Sequence, residues 1–293
     1  MKNFVIILVW FLGIVTMVSG QKPWGFGFKA GGNWTTIQGP VDEGEKVNYQ
    51  GGIHLGLEVS WKALPNFGVF SGFGYNQAGA KYDYDGDGYF VFRSIVKDAV
   101  VTGHTTTKLL VEHSYLEIPL GIYYKPIKKL ELTGGISANI LVGSIAKGNM
   151  TFTSPSNGGI DFSVLLDYDY LKDNAGEVGG RPTLKRYVPN IYSKLIRGVK
   201  YDVPQTLGAY YFLDKQVEKR KYNIFDYGGF VGIKYYLNSA LYLSIKGYWG
   251  LTDITNTSTD FRYQLDPTNP NALPSSDDVD KNVIYQMSLG FAF

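Results

Sequence analysis

The sequence predicts an all-β chain folded as an antiparallel up-and-down transmembrane β-barrel of eight strands, with short periplasmic turns and long extracellular loops. Three observations carry this expectation. Large apolar residues recur with period two in eight segments, the links between segments alternate short and long, and tryptophans fall at segment ends.

Residues 1–20 stand apart. Lys2, the apolar run 4–18 and the small residues Ser19 and Gly20 before Gln21 form the pattern of a secretory signal peptide. After residue 20 nothing offers about 18 consecutive apolar residues. The domain is therefore expected over 21–293, exported, and entering a membrane only as strands. An even strand number leaves both ends in the periplasm.

The first expected strand, 24–35, alternates weakly. In 51–61, Ile53, Leu55, Leu57, Val59 and Trp61 oppose His54, Gly56, Glu58 and Ser60. Residues 67–78 are weaker again. In 114–125, Leu116, Ile118, Leu120, Ile122 and Tyr124 oppose Glu117, Pro119, Gly121, Tyr123 and Lys125. Segment 130–142 sets Leu132, Ile136, Ile140 and Val142 against Glu131, Thr133, Ser137 and Asn139. Segments 224–236, 241–252 and 283–293 complete the eight, the last with every odd position from Val283 to Phe293 large and apolar. The links at 62–66, 126–129 and 237–240 are short; those near 36–48, 79–113, 147–223 and 253–282 are long. Inserting 161–170 and a partner from 201–213 would make ten strands, but would put a long link on the periplasmic side, so these segments are expected to project above the membrane, with 190–199 helical.

Soluble sandwiches also alternate. Here the charged residues share the slim face, as lipid contact demands: a Lys or Arg facing lipid at the midplane costs about 2–4 kcal/mol. Lys29, His54, Glu58, Glu117, Glu131, Asp226, Lys234 and Lys246 are thus expected inside, opposite charges on neighbouring strands satisfying one another. A narrow ion pathway is the alternative use of the same groups. Pro119, inward and mid-strand, removes a ladder hydrogen bond and predicts a bulge or kink. Trp24 and Trp61 fall at periplasmic ends, Trp34 and Trp249 at external ends, the two levels of aromatic girdles.

Composition excludes further classes. With no Cys, disulfide frameworks and Cys-ligated metal sites are impossible. A net charge of +2 gives no basic footprint for nucleic acid. The 36 Gly, 23 Tyr and 17 Phe are in excess, Gly alone well above the roughly 7 % of average usage. An eight-stranded barrel is just wide enough for side chains to fill, so inward Gly makes room beside larger groups.

Gly31-Gly32-Asn33-Trp34, Gly72-Phe73-Gly74-Tyr75, Tyr115-Leu116-Glu117-Ile118-Pro119-Leu120, Gly134-Gly135-Ile136, Gly228-Gly229-Phe230-Val231-Gly232 and the terminal Leu289-Gly290-Phe291-Ala292-Phe293 resemble the PorT-like outer-membrane β-barrel domain family of Bacteroidetes. The resemblance spans the barrel segments and not the long loops. It implies an outer-membrane barrel of a Gram-negative bacterium, surrounded by outer-membrane lipid, in a family named for a member linked to type IX secretion. The terminal strand, with Tyr285, Phe291 and Phe293, resembles the signal read by the outer-membrane assembly machinery.

In the second long loop, Asp83-Tyr84-Asp85-Gly86-Asp87-Gly88 fits the first half of a calcium loop, three carboxylates at alternate positions converging on one cation. The twelfth position is Ser94 instead of Glu, and Asp and Gly also suit any solvated turn. The aromatic and basic mixture in 181–222 is expected to meet an envelope protein or glycan, or simply to cap the barrel. The fourth loop, with Pro267, Pro270, Pro274, Asp277 and Asp278, is expected to be flexible. No G-x-S-x-G, H-E-x-x-H or P-loop pattern occurs. Of the histidines His54, His104 and His113, only His113 has a serine beside it in the chain, and adjacent strand residues face opposite ways. A structural or surface-binding role is expected, without catalysis or cofactor; a small-solute channel is the alternative and a lipid-modifying enzyme a remote one.

Overall fold

The computed structural model describes residues 23–93, 98–157, 159–173, 190–196, 199–213, 220–265 and 276–293. The expected leader and the Pro-containing stretch 266–275 lie outside the described residues. The strands are β1 (Trp24–Gln38), β2 (Glu45–Asn48), β3 (Gln50–Leu64), β4 (Phe67–Phe92), β5 (Ala99–Ile127), β6 (Leu130–Ser154), β7 (Ile160–Asp169), β8 (Asn190–Ile196), β9 (Val199–Pro204), β10 (Thr206–Leu207), β11 (Phe225–Tyr236), β12 (Leu241–Gly250) and β13 (Lys281–Ala292).

Eight of them pair antiparallel in a ring: β1–β3–β4–β5–β6–β11–β12–β13 and back to β1. The eight segments of alternating apolar residues coincide with these strands. The usual distribution of a soluble domain is inverted. Leu57, Leu120, Ile136, Val231 and Met287 are exposed on the outer wall, while Asn76, Glu117, Asn139, Asp226 and Gln286 are buried inside. Such a cylinder suits a solvent that is itself apolar and leaves no open sheet edge across it. Trp24 pairs with Trp61 at the short-turn end, and Trp34 with Tyr285 near the other.

The glycine and aromatic excesses form one device. Tyr242 stands opposite Gly290, and Tyr123 and Phe70 opposite Gly68 and Gly121. A Cβ on Gly290 would lie 2.3 Å from the Tyr242 ring, so the ring occupies the space over its partner glycine and fills the lumen.

Beyond the ring, three expectations are corrected. β4, β5 and β6 run 26, 29 and 25 residues, whereas a spanning strand needs about 9–11. Most of 79–113 is therefore a projecting hairpin, and β7 extends this sheet by pairing with β6 beyond the ring. Gly79, at φ +140°, sits where β4 leaves the ring, and a Cβ there would meet the Val111 carbonyl at 2.0 Å. One face of the projecting sheet carries Phe90, Phe92, Phe152 and Phe162, packed with Val203, Leu207 and Tyr211 in a core continuous with that of the lumen, which is why these residues are not loops. Residues 190–196 form β8, paired with β9, and not a helix; Ile196, Val199 and Val203 are β-branched and fit a ladder better. Pro119 makes no bulge. The β4–β5 register is the same at Ser71/Leu120 and Gly74/Glu117, on either side of it, and the Ser71 hydroxyl donates to the Pro119 carbonyl at 2.9 Å. The register shifts between β5 and β6 lie instead at Ser114/Tyr115, where the strands leave the ring, and at Tyr124/Ile127, next to the short turn.

Candidate functional site

Side chains from all eight strands meet in the lumen, in layers. At the short-turn end, Lys234 from β11 bridges Glu58 from β3 at 2.5 Å and Glu131 from β6 at 3.0 Å. Lys125 reaches Glu131 at 3.0 Å and lies 4.4 Å from the Tyr236 ring centre, and the Tyr236 hydroxyl donates to Glu131 at 2.9 Å. Below this layer a vestibule of about 220 Å³, lined by Glu58, Lys125, Glu131 and Lys234 among others, opens at the end of the ring. Deeper in, Lys246 meets Glu117 at 2.5 Å, and the Ser137 hydroxyl donates to the same carboxylate at 3.3 Å. Lys29 faces this layer without a carboxylate in contact among the described residues.

His54 forms the next layer. The Asn33 amide nitrogen donates to Asn76 and Gln77, so its oxygen, 2.6 Å from His54 Nδ1, accepts from the ring. Nε2 is then left to accept from Ser288, also at 2.6 Å. The order serine, histidine, asparagine is that of a nucleophile relay, and all three residues are buried in the lumen. Asp226 closes the series with no cation in contact among the described residues. Its carboxylate accepts from Tyr248 at 2.9 Å, Asn282 at 3.0 Å, Asn139 at 3.4 Å and Thr252 at 3.0 Å. Four neutral donors do here what an opposite charge was expected to do.

All eight residues expected in the lumen do face it. Sequence reasoning missed the cross-strand partners, including Lys125, Asn33, Tyr236, Tyr248, Ser288 and Asn282. Parity already assigned Lys125 to the slim face; what one sequence lacks is register, which decides who meets whom.

Above the ring, His113 is fully buried. Ser144 lies 3.0 Å from its Nδ1, the Tyr222 ring packs edge-on at 4.2 Å, and Nε2 has no hydrogen-bond partner among the described residues. Burial, reinforced by the nearby Lys221 charge, pushes its pKa down to about 3. Next to it lies a cavity of about 100 Å³ lined by Tyr82, Tyr170, Tyr222, Lys221, Asp260 and Asp280. Burial opposes the Lys221 charge, but Asp260 at 2.8 Å, together with Tyr170 and Tyr263, outweighs it, and the ammonium pKa is raised. Asp260, Asp278 and Asp280 have carboxylate oxygens within 4.8 Å of one another. Burial, then repulsion from Asp260 and Asp278, raises Asp280 to about 7.

Asp83, Asp85 and Asp87 do not encircle a cation. They stand in a row on the outer face of β4, where the extended backbone spaces alternate side chains about 7 Å apart. Asp85 lies 2.7 Å from His104 and 3.4 Å from Thr106, and Asp83 accepts from Asn48 at 3.0 Å. The row Asp85, Thr106, Thr151, Ser163 crosses four strands in register, with Thr151 and Ser163 2.8 Å apart. The outer face of the projecting sheet is thus polar and exposed, opposite its apolar core.

The family model described as outer membrane protein beta-barrel domain matches residues 19–256. No curated protein matches the chain. Among solved structures, it is similar to Ail, the attachment invasion locus protein of Yersinia pestis, at 9% identity over 93% of this chain and 100% of that one, TM-score 0.36. It is also similar to OprG from Pseudomonas aeruginosa, at 12% identity over 94% and 98%, TM-score 0.32. The outer membrane protease OmpT from Escherichia coli gives 10% identity over 95% and 100%, TM-score 0.31. With its ring of apolar-out, polar-in strands and a family match over most of its length, the chain belongs to the outer membrane protein beta-barrel domain family and resides in the outer membrane of a Gram-negative bacterium.

Proposed function

We propose that this barrel is a non-conducting scaffold that presents its projecting sheet to an envelope protein or glycan, as an accessory of an envelope complex of the kind the PorT-like resemblance implies. The observation that carries this reading is the sheet itself. Three ring strands extend well past the bilayer, join a fourth strand and carry an aromatic core continuous with that of the lumen, which leaves a polar face with exposed Asp85 and Ser163 and half-buried Thr151 in register. Structured external segments on a rigid scaffold are where binding function concentrates. The girdle residues Trp24, Trp34, Trp61 and Trp249 anchor the scaffold in lipid, and the assembly machinery reads the terminal strand through Tyr285, Phe291 and Phe293.

The test is affinity purification from native outer membrane, comparing the wild type with an Asp85→Ala, Thr106→Val, Thr151→Val variant. A partner enriched with the wild type and lost with the variant supports the reading; identical recovery contradicts it. The periplasmic vestibule favours a second reading, a small-solute channel gated where Lys234 holds Glu58 and Glu131, which conductance distinguishes.

A further inference from the structure

The outer wall of the barrel has a notch. β1 pairs with β3 only as far as Thr35 and Gln50. Past that point β1 continues beside β13 to Gln38, while the chain detours through 39–44 and returns as β2, which pairs with β4 alone. Among the described residues, the facing edges of 36–38 and 45–48 therefore have no strand partner between them; the Glu45 amide donates to the Asp42 carbonyl at 3.0 Å, and the other backbone groups of these edges face the notch. The notch opens outward as a groove of about 710 Å³, within the range of a built ligand site.

Its position and chemistry point to one occupant. Thr36 and Val283 lie at its base, and Trp249, Tyr285 and Tyr49 form an aromatic wall, with ring centres 6.2 Å and 6.4 Å apart. This wall continues the external girdle, so the lower groove is continuous with the lipid interface of the barrel. Its rim stands higher. Four residues from Trp34 to Gln38, at about 3.4 Å each and tilted about 40°, lift it about 10 Å toward the sugar level of the outer leaflet. Lys46 is exposed at the rim with no carboxylate partner among the described residues, whereas Glu45 is turned to its own loop, accepting from the Asp42 amide at 3.0 Å. The groove thus offers an apolar aromatic wall below, unpaired backbone edges midway and a free ammonium above.

We propose that this notch binds one molecule of the acylated, phosphate-bearing glycolipid of the outer leaflet, lipopolysaccharide. An acyl chain lies against Trp249 and Tyr285, sugar hydroxyls and amides meet the open edges of β1 and β2, and a phosphate pairs with Lys46. The inference rests on the outer-membrane location and is independent of the role proposed for the projecting sheet.

Native mass spectrometry of the full chain in detergent, with purified lipopolysaccharide or with phosphatidylglycerol, tests it. The expected result is one lipopolysaccharide retained per chain, weakened by salt, with little phosphatidylglycerol. Thr36→Trp, which fills the notch, lowers retention at least tenfold, and Lys46→Glu lowers it several-fold. Heat-modifiable gel migration confirms that each variant is folded; Lys46→Glu changes an exposed side chain and serves if Thr36→Trp fails that check. Equal retention of phosphatidylglycerol by the wild type, or undiminished lipopolysaccharide retention by the folded variants, overturns the proposal.

Discussion

Glu117 and Lys246 meet at 2.5 Å inside a cylinder with no bulk water around them. Removing one member of a buried pair leaves the other charge uncompensated, at about 3–5 kcal/mol. Glu117→Gln is therefore expected to lower the temperature at which the folded, fast-migrating gel species is lost, and an unchanged transition would contradict an anchoring role. Tyr242 and Gly290 give a complementary case. Gly290→Val places a Cβ 2.3 Å from the Tyr242 ring and should destabilise the barrel, whereas Gly290→Val combined with Tyr242→Ala should recover part of the loss in the same assay. Asp280 supplies a pH dependence. Its carboxyl, raised to about 7, binds a proton in the folded chain that the unfolded chain has already released. Its contribution to stability thus falls as pH rises from about 4 to 7 and is constant above. Asp280→Asn should be more stable than the wild type at pH 8 and no different at pH 4, measured by thermal unfolding; a difference independent of pH would contradict the assignment.

Among the elements, β4, β5 and β6 have two environments along one sheet, and β7 joins only the upper one. Below the external girdle their outer face meets lipid; above it that face meets water and the inner face carries the aromatic core. Phe90 is fully buried there, with the rings of Phe92, Phe152, Phe162, Tyr211 and Phe212 within 6 Å. Phe90→Ala should cost about 3–5 kcal/mol, read as faster proteolysis of the external sheet on intact cells with unaltered heat-modifiable migration of the barrel. Loss of that migration would show that the two regions are not separable. The lipid-spanning halves of these strands were legible because lipid outside and a crowded lumen inside impose opposite demands on alternate residues, as Leu116 and Glu117 illustrate. The projecting halves were harder to read. In 82–88 the alternation persists, Tyr82 and Tyr84 inward against Asp83, Asp85 and Asp87 outward, but Asp and Gly are also the vocabulary of turns and gave the appearance of a calcium loop. The polar partners of His54 and Asp226 were not legible at all, since Ser288 lies 234 residues from His54 and only the register of the closed ring brings the two together.

For the whole molecule, the lumen holds Glu58, Glu117, Glu131 and Asp226 with Lys29, Lys125, Lys234 and Lys246, so charge balances inside the cylinder as it nearly does over the chain, net +2. A balanced, hydrogen-bonded interior packed with Tyr and Phe is consistent with the proposed roles lying on the outside of the barrel, at the notch and the projecting sheet. The central claim, a lumen closed by its own side chains, is tested most directly by recording the refolded wild-type chain in a planar lipid bilayer. The expected record is a flat baseline with no unitary steps while gel migration confirms folded protein; reproducible, steady unitary currents would contradict it.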